Sequence, residues 1–399
     1  MLFPVSYFAK TAACVVLLQI LCRIANETNE VFGGAILALK IYPFIMCGGA
    51  GTRLWPMSTR ERPKQFQKIV SDLSMLQETA SRGGRSQDVE VAPASFVCSS
   101  MHKDLVLEQC RDIGIDPYKV ILEPLARNTA AVAATIGLVM EACEEEALVL
   151  LLPADHHIED VPAFWSYIES GCRAAVDGDI VTFGIQPTHP ETGYGYIKAG
   201  QQKPSKALKI VEFVEKPDLA TAKAYLDEGT YYWNAGIFLF RPDVILESFE
   251  AHAEDILDSV KLAVGAATSR KKLLFLDANK FDQCRSESFD YAIMEKATNI
   301  SLIGPLKVGW NDIGSWRAVW EHEVDMQQGG GSKEESGTCL IDSREVLIRS
   351  SGQFVATVGV SRLGVIATPE SILVIDLDSA QDVKKVVNSL KAQGLEHLL

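Results

Sequence analysis

The sequence lacks several features that mark common protein classes. Its nine cysteines include no CxxC pair, which argues against a zinc site or a disulfide framework and favours reduced thiols. Acidic residues outnumber basic ones by 52 to 38, for a formal net charge of −14. This balance argues against a nucleic-acid partner, because binding to a phosphate backbone needs an excess of Lys and Arg. No Ser-His-Asp or Cys-His constellation for nucleophilic catalysis is evident.

A long apolar run is also missing at the N-terminus. The uncharged stretch Thr11–Cys22 lies between Lys10 and Arg23. It is shorter than the roughly 20 residues of a membrane span and close to the length of a signal-peptide core, but no basic segment precedes Lys10. We therefore interpret residues 1–40 as a dispensable extension rather than an anchor, and we predict a cytoplasmic protein without a membrane partner.

The remainder is typical of a soluble α/β enzyme. The chain has 399 residues, of which 47% are hydrophobic and 23% charged, enough for one large domain and a smaller second unit. Short apolar runs alternate with helical patterns such as Asn128–Cys143, which predicts parallel strands joined by crossover helices. The predicted strands are Ile41–Cys47, Pro93–Cys98, Lys119–Leu122, Ala147–Pro153 and Ile180–Gly184. A strand-rich region between Gly193 and Phe240 is expected to form a substrate-binding lobe on this sheet.

The composition changes near residue 327. Gly, Ser and charged residues over 327–337 indicate a flexible linker between a main domain at 41–326 and a C-terminal unit at 338–399. The C-terminal unit consists of short β-rich runs at close intervals, followed by a helical tail at Ala380–Gln393. The sequence therefore predicts two folded parts after the extension.

The most informative segment is a glycine turn that follows the first predicted strand. Gly48–Phe66 reads GGAGTRLWPMSTRERPKQF and contains Gly48, Gly49, Gly51, Arg53 and Lys64. Glycines allow backbone N–H groups to close around an anion, and the two cations add full positive charge. The pattern is neither a P-loop, which ends GK[ST], nor a GxGxxG dinucleotide turn. It is typical of phosphate binding.

This loop and seven further short sequence motifs, called words below, resemble those of the sugar-phosphate nucleotidyltransferases, and within them those of the mannose-1-phosphate guanylyltransferase family. The words run in the family's order and cover about Ile41 to the C-terminus: Glu123–Thr129, Leu152–His156, Glu191–Tyr196, Phe213–Pro217, Trp233–Phe238, Ser288–Lys296 and Gly309–Trp316. The resemblance implies a Rossmann-like, mostly parallel α/β sheet with a small C-terminal β-rich unit similar to a left-handed β-helix. It leaves a homo-oligomer open.

The reaction that the resemblance implies is attack by the phosphate of mannose 1-phosphate on the α-phosphorus of GTP, giving GDP-mannose and pyrophosphate. Arg53 is assigned to the leaving phosphates and Lys64 to the α-phosphate, because a guanidinium bridges phosphate oxygens and an ammonium stabilises developing charge. Gly48, Gly49 and Gly51 would hold the nucleotide with their backbone N–H groups.

Two aspartates are predicted to bind Mg²⁺. Asp155 follows the predicted strand Ala147–Pro153 and Asp312 lies in the word Gly309–Trp316. Mg²⁺ is often held by one or two carboxylates and completes its octahedron with phosphate oxygens and water, so two aspartates suffice. Each could instead cap a turn.

The remaining site residues are assigned from the resemblance. Gly195, Glu215, Lys216 and Asn234 are expected to bind the sugar phosphate. Glu123, Arg127 and Asn128 are expected to line the guanine, with a carboxylate that accepts from the base and rejects adenine. Asn128 and Thr129 could also cap a helix that begins at Ala130.

Three rival functions stay open. A nucleotidyltransferase of the same fold could use another base or another hexose phosphate. A second activity as a phosphomannose isomerase would need a histidine-containing metal site, but only His397 follows His322. A non-catalytic subunit could bind sugar nucleotide, although it would have no need of Arg53, Lys64 and both aspartates together.

Overall fold

A computed structural model describes residues 39–49, 51–83, 89–142, 147–326 and 337–399. The predicted N-terminal extension lies almost wholly outside these ranges, as does the linker apart from residue 337. Within the described ranges, no helix is both long enough and apolar enough to span a membrane.

The main sheet contains all five predicted strands, and the helical pattern that begins at Asn128 forms a helix. The strands are β1 (Lys40–Met46), β2 (Glu90–Val91), β3 (Ser95–Ser99), β4 (Val120–Glu123), β5 (Ala147–Pro153), β6 (Ile180–Ile185), β7 (Tyr196–Gln202), β8 (Leu208–Val214), β9 (Tyr231–Phe240), β10 (Thr268–Arg270), β11 (Leu273–Phe275) and β12 (Ile300–Ile303). The helices are α1 (Met75–Ser81), α2 (Lys103–Asp112), α3 (Asn128–Glu141), α4 (Val161–Val176), α5 (Leu219–Glu228), α6 (Pro242–His252), α7 (Glu254–Gly265), α8 (Ala278–Phe281) and α9 (Trp316–Met326).

The sheet is parallel through its centre. Strands β11, β4, β3, β1 and β5 are successive parallel neighbours, and β2 also pairs with β1 in parallel. Strand β9 lies antiparallel between β5 and β6, and β12 continues the sheet parallel to β6. The α/β prediction is confirmed. The prediction of a lobe on the sheet at 193–240 is wrong for β9, because this strand is an internal strand of the main sheet.

The parallel arrangement brings the predicted site loops to one edge. Strands β1 and β5 are buried along nearly their whole length, as their continuous apolar sequences require in a sheet covered on both faces. The carboxyl ends of β1, β4 and β5 lead to Gly48, Glu123 and Asp155, and ligands bind at this edge in open α/β sheets.

The C-terminal part consists of five short strands in a coil, called the β-coil below, followed by a helix. Its strands are β13 (Thr338–Ile341), β14 (Arg344–Ser350), β15 (Val355–Val358), β16 (Ser361–Ala367) and β17 (Ile372–Asp376), and its helix is α10 (Val383–Ala392). Strand β13 pairs in parallel with β15, and β14 with β16, each with a partner 17 residues further on. Such a repeat is the pattern of a β-helix turn. The β-helix-like prediction is therefore confirmed.

The β-coil and α10 share a hydrophobic core with the glycine loop. Val383 and Val387 of α10 are buried in one cluster with Leu54 and Trp55. The indole N–H of Trp55 donates to the backbone oxygen of Leu398 over 2.7 Å. Because of this packing, α10 lies against the loop that the sequence assigns to phosphate.

Candidate active site

The predicted site residues line two neighbouring cavities at the carboxyl edge of the sheet. The larger cavity has a volume of about 390 Å³ and the smaller about 230 Å³, and Asp155, His156 and Asp312 line both. The predicted residues in the larger cavity are Gly48, Gly49, Glu123, Arg127, Asn128, Asp155, Gly195, Glu215, Lys216, Asn234 and Asp312. Those in the smaller are Gly51, Arg53, Lys64, Asp155 and Asp312. The structure thus brings every one of them to a single region.

The glycine loop needs glycine at Gly51 for two reasons. Its backbone is left-handed, with φ of 54°, which disfavours residues with a side chain. A Cβ at this position would also collide with the side chain of Lys64 and lie 2.9 Å from the hydroxyl of Ser58. The loop is held from below by Gln65, whose amide donates to the backbone oxygen of Cys47 over 2.7 Å.

Lys64 connects the two predicted metal ligands. Its side chain is buried, and its ammonium donates to the backbone oxygen and to Oδ2 of Asp155, each over 2.9 Å. It also donates to the backbone oxygen of Asp312. Burial alone would raise the pKa of the Asp155 carboxyl, but the charges of Lys64 and His156 outweigh it, so the pKa is lowered. Asp155 is therefore ionised at neutral pH.

The loops of the two aspartates are joined by backbone hydrogen bonds. His157 N donates to Asn311 O over 2.8 Å, and Asn311 N donates to His157 O over 3.1 Å. Gly314 lies so close to the Asp312 carboxylate that a Cβ there would collide with it, and its N–H donates to Oδ1 over 3.0 Å. Ile313 has φ of 46°, a strained conformation for a β-branched residue, and such strain is common at functional sites.

The donor set fits a hard divalent cation. Two carboxylates face the same cavities, and the Asp155 side chain is one-third exposed, so it is open to a ligand. Within the described ranges, no group of three or more His, Cys, Asp or Glu residues could hold a metal without further ligands. A cation here would therefore need oxygens from water or from a phosphate substrate, which suits Mg²⁺.

The predicted sugar residues form a cluster in the larger cavity. Glu215 is buried and forms an ion pair with Lys216. A Cβ on Gly195 would lie 2.6 Å from Glu215 Oε2, so glycine is required here by the carboxylate as well as by any ligand. The Asn234 amide donates to Asp290 Oδ1 over 2.9 Å and accepts from the Thr182 hydroxyl over 3.0 Å. Asn234 thus holds other side chains in place.

Asp290 is a site residue that the sequence reasoning missed. It lies in the word Ser288–Lys296, begins a π-helical turn and lines the larger cavity. Burial and the nearby charge of Glu215 raise the pKa of its carboxyl to about 7. A carboxyl near its pKa can donate or accept a hydrogen bond, which suits recognition of hydroxyl groups. The only sequence signal was its place in a family word, because no local pattern shows that it faces Glu215.

Glu123 ends β4 and has an unsatisfied carboxyl. The side chain is buried, and its Oε1 has no hydrogen-bond partner among the described residues. Burial raises the pKa of this carboxyl to about 8. A buried polar atom without a partner carries a free-energy cost, so a ligand that donates to it would be stabilised.

The two other predicted base-binding residues have local partners. Arg127 donates to Asp282 Oδ1 over 2.6 Å, so its charge is already paired. Helix α3 begins at Asn128, two residues before the predicted start, and Arg127 ahead of it makes no side-chain cap. Asn128 has φ of 65°, and its Oδ1 accepts from the Thr129 N–H over 2.9 Å, so its side chain satisfies one amide at the start of the helix. The Thr129 hydroxyl instead accepts from the backbone N–H of Phe289 over 2.8 Å.

Comparison with known proteins places this site in a family. Residues 42–329 match the nucleotidyl transferase family model. The chain belongs to the nucleotidyl transferase family. Residues 337–390 match the MannoseP isomerase/GMP-like beta-helix domain. Nucleotidyl transferases generally use a divalent metal ion, in agreement with the donor set described above.

The chain is also similar to individual named members of this family. The chain is 39% identical over 361 residues to the mannose-1-phosphate guanylyltransferase of Escherichia coli K12, covering 89% of this chain and 74% of that one. It is 38% identical over 354 residues to the alginate biosynthesis protein AlgA of Pseudomonas aeruginosa, covering 88% and 72%. It thus spans about three quarters of the length of these relatives.

Two solved structures resemble the fold of this chain. A Thermus thermophilus protein named mannose-1-phosphate geranyltransferase superposes with a TM-score of 0.76 at 29% identity, covering 88% of this chain and 99% of that one. A Helicobacter pylori protein named mannose-6-phosphate isomerase superposes with a TM-score of 0.58 at 26% identity, covering 69% and 100%.

The raised pKa of the Glu123 carboxyl should make the stability of the folded protein depend on pH. Its pKa is about 8 when folded and about 4 in an unfolded chain, so the native protein loses stability as pH rises through this window. Glu123→Gln is uncharged at every pH. We expect the Tm of this variant minus that of wild type to be larger at pH 8.5 than at pH 5. An equal difference at both values would show that Glu123 is ionised throughout.

Proposed function

We propose that this chain transfers GMP from GTP to α-mannose 1-phosphate, giving GDP-mannose and pyrophosphate. The observation that carries the proposal is the meeting of the two cavities at Asp155 and Asp312. A cation-lined cavity on one side suits polyphosphate, and the larger cavity has space for a base and a sugar. The relatives named mannose-1-phosphate guanylyltransferase supply the identity of the substrates. We also propose a cytosolic location, because a nucleoside triphosphate substrate is scarce outside the cytosol.

The proposed nucleophile needs no general base. A phosphate monoester has its second pKa near ~6, so the phosphate of mannose 1-phosphate is already anionic at neutral pH. The attack still requires that two anions be brought together in line. The protein must therefore supply charge neutralisation and orientation, which is how phosphoryl and nucleotidyl transfers are generally catalysed.

The glycine loop and its cations bind the triphosphate in this proposal. Backbone N–H groups at Gly48, Gly49 and Gly51 face its oxygens, and Arg53 holds the β- and γ-phosphates that leave as pyrophosphate. The Lys64 ammonium keeps the two aspartates together and places positive charge beside the α-phosphate.

Asp155 and Asp312 would hold Mg²⁺ in this proposal. When bound, the ion neutralises phosphate charge and helps to orient the reacting oxygens. Lys64 engages Oδ2 of Asp155, so the carboxylate is fixed in orientation before substrate arrives. The Gly314 N–H donates to Oδ1 of Asp312 over 3.0 Å and restrains that carboxylate as well.

The sugar phosphate occupies the cluster around Glu215. Lys216 binds its phosphate, and the Glu215 and Asp290 carboxyls bind sugar hydroxyls. Asn234 orients Asp290 through its 2.9 Å hydrogen bond, and Gly195 leaves room for the Glu215 carboxylate. Fixed carboxyls of this kind discriminate between hexoses by the positions of their hydroxyl groups.

The base is read at the end of β4. Guanine presents N1–H and N2–H donors to the Glu123 carboxyl, whose Oε1 has no partner among the described residues. These donors would stabilise the ionised carboxylate and lower its pKa. Adenine has no such pair of donors. Arg127 and Asn128 complete the wall of the base pocket.

Pyrophosphate release tests the substrate assignment. We expect wild-type protein with Mg²⁺ to release pyrophosphate fastest from GTP plus mannose 1-phosphate, when all four NTPs are tested against mannose 1-phosphate and glucose 1-phosphate. A higher kcat/KM with UTP, or with glucose 1-phosphate, would identify a different nucleotidyltransferase. No release with any pair would point to a non-catalytic subunit.

Charge removal tests the metal assignment. We expect Asp155→Asn and Asp312→Asn each to lower kcat by about 100-fold or more, because several kcal/mol of transition-state stabilisation are lost with a ligand charge. Asp160→Asn is a matched control, since Asp160 caps α4 nearby and asparagine caps equally well. Near wild-type rates for either variant at limiting Mg²⁺ would remove that aspartate from the metal site.

A further inference from the structure

One residue in the smaller cavity comes from the C-terminal unit. The cavity is lined by Gly51, Thr52, Arg53, Lys64, Asp155, His156, Asp312, Gly314 and Lys384. All of these except Lys384 belong to the predicted main domain. Lys384 lies in the first turn of α10, more than three hundred residues along the chain from the glycine loop.

Packing explains how Lys384 reaches this cavity. Val383 and Val387 lie four residues apart, on one face of α10, and both are buried in the cluster that contains Leu54 and Trp55. Leu54 and Trp55 directly follow Arg53. The hydrogen bond from Trp55 to Leu398 fixes the chain after α10 to the same loop. The helix is therefore held with Lys384 beside Arg53.

Lys384 and Arg53 bring two positive charges to the smaller cavity, and the charge of Arg53 also acts on Glu191. Within the described ranges, neither side chain forms an ion pair or a side-chain hydrogen bond with an acidic group. The next residue, Lys385, does so, because its ammonium lies 2.9 Å from Asp382. The charge of Arg53, followed by burial and the charge of Lys216, lowers the pKa of Lys384. In a chain with a net charge of −14, adjacent unpaired cations in a cavity are a site for an anion.

We propose that Lys384 is a substrate-binding residue that, together with Arg53, holds the β- and γ-phosphates of the nucleoside triphosphate and the pyrophosphate that leaves. This inference rests on the proposed nucleotidyl transfer, but not on which base or sugar is used, since pyrophosphate leaves in every case. It gives the C-terminal unit a direct part in the site. The two cations would hold the leaving group in the cavity that Asp155 and Asp312 also line.

A comparison of neighbouring lysines tests this role. We expect Lys384→Ala to weaken the binding of pyrophosphate with Mg²⁺, measured by calorimetry, by about tenfold or more, as the loss of one charged contact implies. The KM for GTP should rise similarly, with the KM for mannose 1-phosphate unchanged. Lys384→Arg should retain most of the affinity, and Lys384→Glu should lose more than alanine does. Lys385→Ala should match wild type in every measurement.

The outcomes separate this proposal from the substrate assignment. If wild type binds pyrophosphate and Lys384→Ala does so tenfold more weakly, Lys384 has the proposed role even if GTP or mannose 1-phosphate proves to be the wrong substrate. Unchanged pyrophosphate affinity in Lys384→Ala and Lys384→Glu would overturn the proposal. So would an equal loss of affinity for mannose 1-phosphate, or a lowered Tm, since both indicate a general disturbance of the site. A wild-type protein that binds no pyrophosphate would overturn it as well.

Discussion

The arrangement of the site depends on the contact between the Lys64 ammonium and the two aspartate loops. The ammonium is buried and donates to Asp155 twice and to the backbone of Asp312 once. A buried charge is tolerated only when it is paired and hydrogen-bonded, and breaking such a pair typically costs about 3–5 kcal/mol. Lys64 therefore serves stability and position together. It fixes the Asp155 carboxylate and joins its loop to the backbone of the Asp312 loop.

The position of Lys64 is linked by packing to the glycine loop and to helix α10. Lys64 approaches the backbone at Gly51 so closely that no side chain is tolerated there. The same loop continues into Leu54 and Trp55, whose side chains are buried with those of α10. A shift in the C-terminal helix would therefore reach the glycine loop and, through it, Lys64. Helix α10 therefore forms part of the wall of the candidate active site, because its Lys384 lines the smaller cavity.

Much of this was predictable from the sequence, for reasons that are local. Continuous apolar runs predicted β1 and β5 well, because strands buried on both faces need no alternation. Gly51 and Asp155 were found because turns at strand ends concentrate glycine and aspartate. The alternation of short apolar runs with helical patterns predicted the α/β sheet, whereas the β-helix-like form of the C-terminal unit followed from the resemblance.

What the sequence could not show depends on contacts between distant segments. Asp290 acquires its role from Glu215 and Asn234, and neither lies near it in the chain. In the sequence, Lys384 has no feature that distinguishes it from a surface lysine. Only the packing of α10 on the glycine loop brings it to the cavity. Arg127 carries a charge that suits a nucleotide, yet the structure pairs it with Asp282. The place of β9 in the main sheet could not be predicted, because its pairing partners β5 and β6 lie far away in sequence.

We propose that the protein supplies only two carboxylates to the metal, from the Asp155 and Asp312 loops that Lys64 joins, and that the substrate phosphates complete the site. Binding of Mn²⁺, followed by electron paramagnetic resonance with and without GTP, tests this most directly. The account predicts weak binding by the protein alone and much tighter binding when GTP is present, because phosphate oxygens then join Asp155 and Asp312. Tight stoichiometric binding without nucleotide, unchanged by GTP, would contradict it.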